Sequence, residues 1–164
     1  MMIAHKVQAT IVFFLLVGCE QKIVRPTSPF NPQEMEMALK AGSSSITGQA
    51  FTKTQAGDVK YAAGNTIVLL PLIPYVEQTL ELLGKNEPFT QVDFDKRVYE
   101  FSKKTVADGT GKFKFSNLSP GRYYMETDIV WMYPTQYGLQ ETGGTVKGIA
   151  IITNDGENAE VILQ

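Results

Sequence analysis

The side chains able to do chemistry are few. The 164-residue chain has one histidine, His5, and one cysteine, Cys19. Cys–His or Ser–His–Asp catalysis and the usual zinc sites would have to draw on those two residues alone. Disulfides are excluded, so packing alone must hold the domain. No glycine-rich loop able to cradle phosphate is present, and Gly143-Gly144 reads as a turn or bulge. The carboxylates come in close pairs, Asp93 with Asp95 and Glu126 with Asp128. A calcium loop needs more acids at regular spacing with a glycine among them, whereas Lys96 and Arg97 follow Asp95. Glu126 and Asp128 alternate along one strand, as exposed acids commonly do, and make no case for a glycosidase pair. Asp108 reads as a turn residue. No metal or catalytic group is expected, and no cofactor.

The aromatics are a better lead. Trp131, Tyr133 and Tyr137 surround Pro134, and Phe89 and Phe94 lie together in a separate stretch. Exposed rings of this kind stack on sugars or anchor a protein partner, and buried ones would cap one end of a domain.

Cys19 has a context of its own. His5 and Lys6 begin a short polar, positive segment, and Thr10–Val17 is apolar but far short of the about 20 residues that span a bilayer. The run ends in Leu16-Val17-Gly18-Cys19. This order of charge, apolar core and small-residue site is that of a secretory signal, and the tetrapeptide resembles the lipobox of bacterial lipoproteins. The resemblance implies removal of residues 1–18, His5 among them, diacylglycerol on the Cys19 thiol with an N-acyl chain, and anchoring by that lipid; a chain so processed has neither histidine nor free thiol for Cys–His or Ser–His–Asp catalysis or the usual zinc sites. Two or three chains on one cysteine hold a membrane far more firmly than a single one. Glu20, where Asp favours retention in the inner membrane, leans toward the outer membrane facing the periplasm.

The elements that position these residues follow from pattern. Hydrophobic residues are 43% and charged residues 20%, enough for one core. One of the 15 basic residues, Lys6, precedes Cys19, leaving 14 basic against 17 acidic and a net charge of −3. With no concentrated basic face, no nucleic-acid partner is expected. Residues 19–45 read as the lipidated cysteine, a linker and one short helix. Asn31 caps, Pro32 begins, Glu34 completes the capping box, and Gly42 ends it. Met35, Ala38 and Leu39 give it a small apolar face, and Ser43-Ser44-Ser45 reads as a flexible hinge.

From 46 to 164 the pattern is short alternating runs between turn residues. Strands are expected near 46–53, 66–72, 98–106, 111–116, 121–132, 145–153 and 158–163, with a helix over 75–83 where Val76, Leu80 and Leu83 fall at helical spacing. Asn154-Asp155-Gly156 is expected to join the last two strands as a hairpin. Seven strands at this spacing indicate an all-β antiparallel sandwich of Greek-key type.

Gly111-x-Phe113-x-Phe115 followed by Leu118-x-Pro120-Gly121-x-Tyr123 resembles the hallmark of the carboxypeptidase regulatory-like domain. Ile46-Thr47-Gly48 resembles its opening strand. The resemblance implies a transthyretin-like sandwich over 46–164. Its residues read as structural: Phe113, Phe115 and Leu118 as core, Pro120-Gly121 as the middle of a tight turn, and Tyr123 as a packed ring whose hydroxyl holds backbone. A motif of this kind specifies a fold and not an activity. The expectation is a non-enzymatic binding or scaffolding module at a bacterial cell envelope, with an envelope protein or a polysaccharide as partner. The alternative is an accessory carbohydrate-binding domain using the aromatics near Trp131.

Overall fold

The computed structural model describes residues 21–164; Cys19 and the signal segment lie outside the described residues. The described chain is an all-β sandwich with a helical layer on one side. Its elements are β1 (Lys22–Val24), α1 (Pro32–Ala38), β2 (Ser44–Lys53), β3 (Val59–Tyr61), β4 (Thr66–Pro71), α2 (Pro74–Gly84) and β5 (Thr90–Val92). A 3-10 helix (Lys96–Phe101) follows, then β6 (Lys103–Val106), β7 (Lys112–Leu118), β8 (Gly121–Thr135), β9 (Gly138–Ile152) and β10 (Asn158–Leu163). One sheet centres on β2, which pairs with β7, β10 and β3; the other runs β6-β4-β8-β9.

Period-two alternation sends Ile46 and Ala50, Phe113 and Phe115, and Leu163 inward from the first sheet. Ile67, Leu69, Tyr123, Met125, Ile129, Val146, Ala150 and Ile152 meet them from the second. The outer face of the second sheet is covered as well. Leu70 and Tyr124 pack there with Met35 of α1, Tyr75 and Val76 of α2, and Val98. This explains the near-continuous apolar run of β4, which is buried on both faces.

The motif around Phe113 forms as expected, with one correction. A methyl on Gly48 would stand 2.5 Å from the Phe113 ring tip and 2.6 Å from the Val161 carbonyl oxygen, so the glycine is the slot into which that ring fits. Tyr123 is buried and its hydroxyl donates to the Ser119 carbonyl at 2.7 Å. Gly121, however, is an ordinary strand residue paired with Ile152; the left-handed position at this corner is Asn117, at φ 58°. Asparagine tolerates that region because its short side chain bonds locally.

Other expectations are corrected by packing. The last two strands form no hairpin: β10 pairs parallel with β2, and the Asn154–Gly156 turn crosses between sheets. Gly148 permits the crossing, since a methyl there would meet the Ile162 carbonyl oxygen at 2.9 Å. Residues 98–101, the first part of the strand expected at 98–106, instead complete the 3-10 helix Lys96–Phe101, because Asp95 accepts from the Arg97 N–H and Val98 and Phe101 fall on one side at its three-residue period. The segment read as a linker is packed on the body over its described part. β1 pairs parallel with β5, Gln78 Oε1 accepts from the Thr27 and Ser28 N–H groups, and Phe30 lies 5.3 Å from the Tyr75 ring. Ser43-Ser44-Ser45 is no hinge either: Ser44 is buried in β2, and Ser43 N–H donates to Asp155.

Candidate functional site

β8 leaves its neighbour β4 at Glu126, the last residue with a ladder partner there, opposite Val68. From Ile129↔Gly144 to Thr135↔Gly138 it is paired with β9 alone. The hairpin therefore runs past the sandwich as a two-stranded ribbon, one face resting on the core as far as Ile129 and Trp131 and both faces open beyond. Directly opposed residues share a face and successive residues alternate. Trp131, Tyr133, Gln140 and Thr142 thus lie on the face continuous with the core, and Val130, Met132, Leu139 and Glu141 on the other.

Trp131 packs against the edge of the core cluster, whereas Tyr133 is 55% exposed and Tyr137, at the tip, 85% exposed. The tip is held by Thr135, whose hydroxyl donates to the Gly138 carbonyl at 2.8 Å and accepts from the Tyr137 N–H at 3.2 Å. Gly143-Gly144 makes neither turn nor bulge, since the register is unbroken through it. Gly143 sits at φ 147°, and a side chain there would strike the Ile129 carbonyl, so strand approach requires glycine at that position.

The structure divides the five expected aromatics. Trp131, Tyr133 and Tyr137 share the ribbon. Phe94 instead packs into the helical layer and meets Tyr99 edge-on at 6.3 Å. Phe89 is 70% exposed but precedes β5, a different element. Sequence reasoning passed over Tyr61, half exposed and tilted against Phe51 at 6.2 Å on the outer face of β2 and β3. Strand β3 is three residues long, too short to announce itself by alternation.

The carboxylates singled out in the sequence, Asp93, Asp95, Asp108, Glu126 and Asp128, are engaged in structure. Asp93 pairs with Arg25 at 2.7 Å. Asp95 is held below its usual range by side-chain hydrogen bonding from Arg97. Asp108 is lowered chiefly by the Thr110 hydroxyl, then by the Lys112 and Thr110 N–H groups. Glu126 accepts from the Tyr124 hydroxyl at 2.7 Å, and that phenol is pushed far up, first by burial. Asp128 accepts from the Thr145 hydroxyl. Asp155 and Glu157 are lowered by N–H groups of Ser43 and of Asn154 and Thr153. Among the described residues no group of three or more acidic, histidine or cysteine side chains is placed to hold a metal, and no helix is long and apolar enough to cross a membrane.

No family model matches the chain, and no curated protein matches it. Among solved structures the chain is similar to a proposed carbohydrate-binding protein from Pseudomonas aeruginosa, with a TM-score of 0.66 and 20% sequence identity, covering 82% of this chain and 97% of that one. At that identity the likeness is one of fold.

Proposed function

We propose that the chain is a non-enzymatic, lipid-anchored module of a bacterial cell envelope that binds carbohydrate along its β8–β9 ribbon. One observation carries the reading. Trp131 and Tyr133 lie two residues apart on one ribbon face, with Gln140 and Thr142 opposite them and Tyr137 at the tip. Exposed rings beside amide and hydroxyl groups suit a sugar, whose C–H faces stack on aromatics while its hydroxyls seek polar partners. The similar solved structure is itself described as a proposed carbohydrate-binding protein, which supports the choice of ligand class. The engaged carboxylates and the absence of histidine after His5 support a role without catalysis. Gly111 to Tyr123 supports kinship with carboxypeptidase regulatory-like domains, and Leu16 to Cys19 supports the anchor, favouring the outer membrane.

The test uses Tyr133→Ala with Tyr137→Ala, because both rings are exposed and their loss leaves the core intact, unlike that of Trp131. Two stacking rings contribute about 0.5–1.5 kcal/mol each, so retention on purified peptidoglycan and on soluble envelope polysaccharide is expected to weaken roughly 5- to 150-fold. Equal retention by the variant and the parent chain, or none by either on both probes, would sink the carbohydrate reading. The anchor is tested separately with Cys19→Ala, which is expected to move the protein from the membrane to the soluble fraction and abolish incorporation of labelled palmitate. Persistence in the membrane refutes it.

A further inference from the structure

Strand β9 is the longest sheet edge of the described residues, 15 residues from Gly138 to Ile152; no strand pairs with its outer side, and only the end of β10 approaches it, at Lys147 and Gly148. Exposed edges invite pairing with another chain unless like charges, brevity or cover prevent it. The other edges have such devices. β6 carries Lys103 and Lys104, β7 carries Lys112 and Lys114, β3 is three residues long, and the end of β10 passes against Gly148. β9 has no proline and only Glu141 and Lys147 as charges, one of each sign.

The backbone direction of this edge follows from three bonds. The carbonyls of Arg122 and Asp128 accept from the β4 side, from Leu72 N–H and the Asn65 side chain. Even-numbered β8 residues therefore face β4, odd-numbered ones face β9, and the pairing of odd with even leaves the odd-numbered β9 residues turned to the free edge. The Lys147 carbonyl accordingly looks outward, where the Gln164 N–H reaches it at a long 3.4 Å, the one backbone bond on this edge among the described residues and one that a second strand paired at Lys147 would replace.

We infer that β9 pairs antiparallel with β9 of a second copy about a two-fold axis at Gly144. The strand is self-complementary about that residue. Glu141 falls opposite Lys147 of the second copy and Lys147 opposite its Glu141, Leu139 falls opposite Ile149, and Gly143 opposite Thr145. Each of these is an odd-numbered pair whose N–H and C=O groups face the edge. Neighbouring registers of the same parity set Leu139 against Lys147, or Glu141 against Ile149, and lose the match. Leu139 and Ile149 are both more than half exposed in the single chain. Gly144 on the axis would be a non-hydrogen-bonded pair, the closest approach of two strands, at about 4.5 Å between Cα atoms. A methyl on Gly144 meets nothing within 4 Å, so the axis is open. Pairing would extend the second sheet through both copies and give the ribbon a third strand.

The test uses residues 21–164, which contain every described element of the fold and no cysteine. Sedimentation velocity over a concentration series is expected to show a dimer. Glu141→Lys or Lys147→Glu sets like charges opposite one another twice, and is expected to weaken the dimer roughly tenfold or more. The double exchange E141K/K147E restores the alternation and is expected to recover it. Gly144→Cys is expected to form a disulfide-linked dimer under mild oxidation, because about 4.5 Å falls within the reach of a disulfide, whereas Thr142→Cys, which faces Val146, is not. A monomer at every concentration overturns the inference. So does a dimer indifferent to either single exchange, or one crosslinked as readily through Thr142→Cys as through Gly144→Cys.

Discussion

Replacing Gly48 by alanine tests the packing of the motif in the sandwich. The added methyl would stand 2.5 Å from Phe113 Cζ, 2.6 Å from the Val161 carbonyl oxygen and 2.9 Å from Val161 Cγ1. The oxygen belongs to the β10 backbone, which is paired with β2 along its length and cannot swing aside. The Phe113 ring is buried and meets Phe115 edge-on at 6.0 Å, so it has no room to retreat. Overpacking of this kind costs about 1–3 kcal/mol, and a backbone obstacle puts the value in the upper half of that range. The unfolded chain loses freedom on the same change, which offsets about 0.4–1 kcal/mol. The net loss is about 1–2.5 kcal/mol, a fall in Tm of roughly 2–10 °C for a domain of this size.

Gly84→Ala is the matched control. It lies at the end of α2, a methyl there meets nothing within 4 Å, and its φ lies outside the left-handed region. It is expected to raise Tm by a few degrees through the unfolded-state effect alone. Thermal unfolding followed by circular dichroism on residues 21–164 reads both. A Gly48→Ala protein as stable as the parent, or stabilised like the control, would refute the slot, and with it the reason for glycine in the opening strand.

Tyr123→Phe removes the hydroxyl that donates to the Ser119 carbonyl, and is expected to cost about 0.5–1.5 kcal/mol, roughly 1–6 °C in Tm; an unchanged Tm would mean the corner is held by the ring alone. Asp155 and Glu157 have carboxyl pKa values lowered in the fold. Their contribution is therefore present above the unfolded values of 3.8 and 4.5 and is lost as pH falls through the lower folded ones. Tm is expected to drop on acidification through that window, with a shallower drop in the D155N/E157Q double variant; parallel curves would show that these acids do not set the acid limb.

How far the fold was legible depended on whether a residue's role was local. Phe113 and Phe115 alternate with lysines, and a strand buried on one face must look that way. Pro32 behind Asn31 marks a helix start by a rule internal to one turn, and α1 begins there with Asn31 accepting from Gln33 and Glu34. By contrast, β1 and β5 are three residues each and exist because they pair with one another across the chain. Ser43–Ser45 looked loose because serine is common in hinges, yet Ser44 is buried by the returning Asn154 turn, whose carbonyl accepts its hydroxyl at 3.2 Å. The parallel partner of β10 was hidden for the same reason: nothing in Val161 or Leu163 states which sheet they will face.

The ribbon was half legible, and the missing half bears most on function. Trp131, Tyr133 and Tyr137 stood out by type, but the strands were expected to stop at 132 and resume at 145, with Gly143-Gly144 read as a turn or bulge. In the structure these residues sit inside continuous pairing. Pro134 needs no partner on the side away from β9, because among the described residues no third strand lies there. Gly143 is required by close approach to the Ile129 carbonyl, and Gly138 closes the turn at φ 112°. The breakers thus record that two strands run alone, without neighbours that would demand N–H groups or side chains from them. A pair so placed is marginal by itself in water, and here it gains support from the core beneath Trp131 at one end only. Its exposed rings lie away from the core, and its β9 edge takes a single backbone bond among the described residues. Contact with a glycan on the aromatic face and with a second strand along β9 would each supply what the fold leaves out, on different atoms: side chains for the first, backbone for the second. Loss of sugar retention in Y133A/Y137A with association unchanged, and loss of association in E141K with monomeric sugar retention unchanged, is therefore the pattern expected if both are features of one ribbon.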